Sequence, residues 1–139
     1  MKIEEASGFE RALDYDQQVW SIMPKIQARL LRDALEITEP GLQGLGEALT
    51  AKFSIEGFSC SMALDNEGRM IFEIKNCPWY DLMKKTGREH LASRVGEVIC
   101  PNEYAAWASE FDKNIRVRIN SRLCDGRKSC ALHFFYDTD

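Results

Sequence analysis

Ile115-Arg116-Val117-Arg118-Ile119-Asn120-Ser121-Arg122-Leu123, followed after a short turn by Cys130-Ala131-Leu132-His133-Phe134-Phe135-Tyr136, decides the fold. Apolar and polar side chains alternate with period two, the pattern of a half-buried strand. Ile115, Val117, Ile119, Ser121 and Leu123 point one way; Arg116, Arg118, Asn120 and Arg122 point the other. The connecting residues turn at Asp125-Gly126, so the two stretches form a hairpin. The same alternation occurs upstream. Phe58, Cys60, Met62 and Leu64 run out, Asp65-Asn66-Glu67-Gly68 turns, and Met70, Phe72 and Ile74 return. Each hairpin has one face to bury.

Outside these hairpins the period is helical. Val19, Trp20, Met23, Ile26, Leu30, Ala34 and Leu35 recur at helical spacing between Asp14 and Ile37. Pro24 either kinks that helix or sits in the first turn of one beginning near Ser21. Residues 1–13 read as a weakly ordered lead-in. Pro40 to Ser54 reads as a second helix, with Leu42, Leu45, Leu49 and Phe53 on one face. Its glycines suit close helix packing: no strand precedes them and no Lys-Ser/Thr pair follows, so they are no phosphate loop. Short helices are expected over Pro78 to Thr86, Arg88 to Val95 and Pro101 to Phe111. The order is helical over 14–54, then hairpin, helices and hairpin over 58–136. That order specifies one α+β domain over residues 1–139, with helices packed on a four-stranded, largely antiparallel sheet made of two hairpins.

A chain of 139 residues fits one domain with one core. Its apolar fraction of 45% and charged fraction of 29% are ordinary for a soluble globular protein. The net charge of −4 gives no basic footprint for nucleic acid. No apolar run is long enough for a membrane span, and no basic-then-apolar leader opens the chain. A cytoplasmic protein is expected, where disulfides are uncommon. Five cysteines would in any case leave one thiol unpaired.

Four of those cysteines lie in chemically suggestive contexts. Cys77 and Cys100 each precede a proline, Cys77-Pro78 and Cys100-Pro101. A proline can occupy the first position of a helix, which would place each cysteine at a helix start, where backbone N–H groups favour thiolate. Cys124 and Cys130 bracket the turn of the last hairpin. The spacing C-x22-C-x23-C-x5-C is not a paired CxxC zinc pattern. Ligands at element ends can nonetheless assemble a tetrahedral site, and thiolates suit zinc and an iron–sulfur cluster alike. Cys77, Cys100, Cys124 and Cys130 are therefore the candidate metal ligands, while Cys60, on an apolar strand face, packs. Trp79, Tyr80 and Trp107 flank the Cys-Pro pairs and, with His133, are candidates to line a small-molecule pocket. Arg116, Arg118 and Arg122 read as a solvated stripe or a subsite for an anion.

Ser121-Arg122-Leu123-Cys124-Asp125-Gly126 and Ser129-Cys130-Ala131-Leu132-His133-Phe134 resemble the end of 4-vinyl-reductase-like domains and of the related L-2-amino-thiazoline-4-carboxylate hydrolase-like proteins, common in archaea and anaerobic bacteria. The Cys77-Pro78-Trp79 stretch and Cys100 also resemble the second group. The resemblance spans roughly residues 58–136. It implies a ligand-binding fold like that of the TRAPP transport subunits, often dimeric through its N-terminal helices. It implies zinc held by residues matching Cys100, Cys124 and Cys130. The glutamate that completes that site falls near Ser121, which leaves Cys77 as the fourth ligand and departs from the family pattern.

Two functions follow as expectations. The first is a metal- or cluster-binding domain with an adjoining small-molecule pocket, acting as sensor or accessory protein, as a possible homodimer. The second is a cysteine- or metal-dependent hydrolase of a small heterocyclic amide-like substrate, with Cys77 or Cys100 as nucleophile. With only two histidines available as base, binding ranks above catalysis.

Overall fold

The two hairpins meet edge to edge. In the computed structural model, which describes residues 2–137, β1 (Ser59–Leu64) pairs with β2 (Met70–Asn76), and β3 (Ile115–Ser121) pairs with β4 (Cys130–Tyr136). β2 and β4 then pair antiparallel, giving one open sheet in the order β1-β2-β4-β3. The outermost residues of the expected 1–139 domain lie outside the described range. The β1–β2 turn is held by Asp65, whose Oδ1 accepts the backbone N–H groups of Glu67 and Arg69, both at 2.9 Å.

The register sets the core. Met70 lies opposite Phe134 and Phe72 opposite Leu132, so the two central strands place their bulk on one face. Two helices cover that face: α4 (Gly41–Glu56) and α6 (Glu89–Ser109). Leu45, Leu49 and Phe53 of α4 are fully buried against Phe72 and Ile74, with Tyr104 and Trp107 of α6 beside them. Gly46 lets α4 approach the sheet closely: a Cβ there would lie 2.9 Å from Met70 Sδ. The other face carries Arg118, His133 and Phe135 and is not covered by any described helix.

The N-terminal part differs from expectation. The lead-in is helical, with α1 (Lys2–Ser7) followed by α2 (Phe9–Val19). Leu13 is buried, and ion pairs from Glu4 to Arg88 and from Glu10 to Arg94 tie this segment to the region of α6. α2 stops at Val19, and α3 (Met23–Ala34) begins with Pro24 in its first turn, so the proline starts a helix and does not kink one.

A second difference bears on the site. The two helices expected on either side of Cys100 are one continuous α6, with Pro101 inside it. Cys100 is thus mid-helix and has no helix-start N–H groups to favour its thiolate. An interior proline costs roughly 3 kcal/mol. Burial of Ala92 and Gly96 before it, and of Tyr104, Trp107 and Ala108 after it, holds both halves on one line. Burying one large side chain is worth about 1.5–3 kcal/mol, so the packing outweighs the proline. By contrast α5 (Pro78–Lys85) does begin at Pro78, with Cys77 as its N-cap.

Candidate functional site

Between α6, the sheet and the N-terminal helices lies a cavity of about 290 Å³. Its wall is largely apolar: Phe58, Ile74, Trp79, Ile99, Ile119 and Leu132 supply much of it. Three cysteines reach it from three elements: Cys77 from the start of α5, Cys100 from the middle of α6 and Cys130 from the start of β4. Cys124 sits on a short 3-10 turn after β3 (Leu123–Asp125), packed against α6 where Gly96 leaves room. A Cβ on Gly96 would lie 2.6 Å from Cys124 Sγ.

All four sulfurs are thiols in electrostatic reach of one another. Burial pushes Cys100 well up, and Glu103 and the other three cysteines push it further. Burial, then the Asp125 carboxylate, raise Cys124 to about 11. Burial raises Cys77 too, against the pull of the Tyr80 and Trp79 N–H groups at the start of α5. Cys130 is raised by burial, although the backbone N–H of Leu123 donates to its Sγ at 3.3 Å. Desolvation therefore outweighs the helix-start effect expected to favour thiolate. All five cysteines are free, and no three described His, Cys, Asp or Glu side chains are grouped to hold a metal ion as they stand. Cys60 is not among the cavity-lining residues; it stands on β1 across Ile74 from Cys130, and burial raises its pKa.

The expected pocket residues separate. Trp79 lines the cavity. Trp107 is 1% exposed within the core. Tyr80 donates to Glu89 at 2.9 Å outside the cavity. His133 lies on the opposite sheet face, 3.0 Å from Asn120, with Arg118 and Phe135 beside it. Arg122 moves the other way. A register shift between Ile119 and Ser121 breaks the alternation, and Arg122 leaves the outer stripe to face the cavity. Its Nε bonds Asp125 Oδ2 at 2.8 Å.

Residues 1–135 match DUF6125, a family of unknown function. The chain belongs to DUF6125. Among curated proteins none matches it. No described helix of this DUF6125 member is long and apolar enough to cross a membrane.

Sequence reasoning missed a group of charges in the DUF6125 cavity. Lys52 is 5% exposed, and its Nζ lies 2.5 Å from Glu56 Oε2 and 3.5 Å from Glu103 Oε1. The rings of Phe53, Phe58 and Trp107 surround it at 5.5, 5.9 and 5.7 Å. Lys52, Glu56, Glu103 and Asp16 all line the cavity. The signal was spacing: Lys52 falls three residues after Leu49, on the buried face of α4, and Glu103 three after Cys100. A lysine inside an apolar stripe needs a buried partner.

Proposed function

We propose that this DUF6125 member is a small-molecule-binding domain with a thiol-lined cavity, and that Cys77, Cys100, Cys124 and Cys130 take up zinc or an iron–sulfur cluster beside it. The protein would then act as a sensor or accessory protein. One observation carries the reading: an apolar cavity whose wall gathers Cys77, Cys100 and Cys130 from three elements. The donor set fits a thiophilic ion in kind, since thiolates are its preferred ligands. Burial and mutual repulsion keep these thiols protonated, and a bound cation offsets both effects. Because the sulfurs are not grouped as they stand, uptake would draw Cys77 at the start of α5 and the 3-10 turn carrying Cys124 toward each other. A thiolate-held centre would supply a structural tie or a redox-sensitive reporter next to the ligand. The resemblance to 4-vinyl-reductase-like domains supports the same assignment, and a homodimer belongs to it.

The hydrolase reading ranks second. Cys77 and Cys100 are its candidate nucleophiles, but burial raises both thiols. Among the described residues, neither His90 nor His133 lines the cavity to accept a proton.

Metal analysis and a visible spectrum of protein purified without oxygen test the proposal. Stoichiometric zinc in a colourless protein, or a brown chromophore, is expected. Serine at any of the four positions should lower metal content, while Cys60→Ser should not. Metal-free protein whose thermal stability is unmoved by added zinc would overturn the metal assignment.

A further inference from the structure

The charges around the cavity specify its ligand further. Lys52 and Arg122 are its cations; Asp16, Glu56 and Glu103 are its carboxylates. Each cation already has a close carboxylate of its own. Lys52 lies 2.5 Å from Glu56, and Arg122 lies 2.8 Å from Asp125. Negative charge is therefore in excess at the cavity wall.

That excess sits on Glu103 and Asp16. The Glu103 side chain is 13% exposed, and its contact with Lys52 is a loose 3.5 Å. A buried carboxylate with so little compensation is costly, and burial accordingly raises its pKa against the opposing pull of Lys52. A second cation in the cavity would relieve that cost. Asp16 is more exposed and stands at the rim, beside Trp20. The rest of the wall suits the same visitor. Trp20, Phe58, Trp79 and Tyr104 all face the cavity, and aromatic faces attract positive charge. An anion would meet two carboxylates and find both cations engaged.

We propose that the cavity takes an organic cation, a protonated amine or amidine on an apolar body, with its charged nitrogen against Glu103 and its body among the aromatic side chains. This rests on the reading of the cavity as a small-molecule site.

Three matched probes test it on the full chain: 2-phenylethylammonium, 2-phenylethanol and 3-phenylpropanoate. Titration calorimetry gives the affinities, and the fluorescence of Trp20 and Trp79 reports binding in the cavity. The ammonium should bind at least about tenfold tighter than the other two. Glu103→Gln should weaken the ammonium about tenfold and leave the alcohol unchanged, which also shows that the cavity is intact. Asp16→Asn should weaken the ammonium less, because water screens a rim charge. Tighter binding of phenylpropanoate, equal binding of all three, or an ammonium affinity unmoved by Glu103→Gln would overturn the cation assignment while the cavity remains a ligand site. Binding of none of the three, the alcohol included, would overturn the assignment and the small-molecule reading together.

Discussion

Glu103 and Glu110 stand seven residues apart near the end of α6 and are shifted in opposite directions. Glu110 accepts from Arg29 Nε at 2.9 Å and Nη2 at 3.1 Å, and these bonds, with the charges of Arg29 and Arg32, hold its carboxyl below the usual range. A depressed pKa in the fold gives stability that is present above the unfolded carboxylate pKa and lost as pH falls. Glu110→Gln should thus cost about 1 kcal/mol at pH 7, and denaturant midpoints across pH should show that cost fading in acid. Glu103 is raised by burial, opposed by Lys52 and reinforced by Glu56. Its contribution is fully present in acid and is lost as pH rises past the ordinary glutamate value of 4.5. Relative to the parent, Glu103→Gln should gain stability between pH 4 and pH 7, even as the ammonium site is lost. Such a trade of stability for a buried charge is what the proposed cation site entails. The thiols give a third expectation. With Cys124 pushed up to about 11, its alkylation by iodoacetamide should be slow at neutral pH. The rate should rise about tenfold per pH unit toward that value, because only the thiolate reacts.

At the scale of elements, α6 and the 3-10 turn after β3 are locked together by Gly96. Alanine in a helix interior ordinarily gains about 1 kcal/mol over glycine. Here its Cβ would meet Cys124 Sγ at 2.6 Å, so Gly96→Ala should instead lose about 1–3 kcal/mol. The double variant Gly96→Ala/Cys124→Ala should recover most of the loss in thermal melts; no recovery would mean that the turn does not rest on this contact. Both hairpins were legible because alternation over Phe58–Ile74 and Ile115–Tyr136 is a property of neighbouring residues. So was the helix start at Cys77, a local matter of Pro78. Cys100-Pro101 carries the same local signal, yet it lies mid-helix because Tyr104 and Trp107 pack on the line set by Ala92 and Gly96. That is tertiary information. The register shift that turns Arg122 inward is likewise decided by pairing with β4. The cavity charges escaped notice for a related reason. Lys52 and Glu103 come from different helices, and the spacing that buries each does not say that the two meet.

Over the whole molecule, the apolar surface is uneven. Ile22, Met23, Ile26 and Leu30 are 62, 40, 45 and 65% exposed, although they stand at spacings that place them along one side of α3. Trp20, by contrast, turns into the cavity. Buried Pro24 and Ala28 already seat the inner side of α3 on the rest of the molecule, so its outer side has no described partner within the chain. An exposed stripe of that length is the kind that marks an interaction surface, and a second copy of this chain supplies a matching stripe about a two-fold axis. Sedimentation equilibrium at micromolar concentration should therefore find a species of twice 15.9 kDa. Ile26→Glu should convert it to a 15.9 kDa species with little change in the melting of the core, because the side chain is already 45% exposed. Β1 offers a competing surface, with Met62 at 47% and Leu64 at 68% exposed on the free edge strand of the sheet. A dimer that survives Ile26→Glu but is broken by Leu64→Lys would move the interface there. A parent protein that sediments only at 15.9 kDa would remove the dimer altogether.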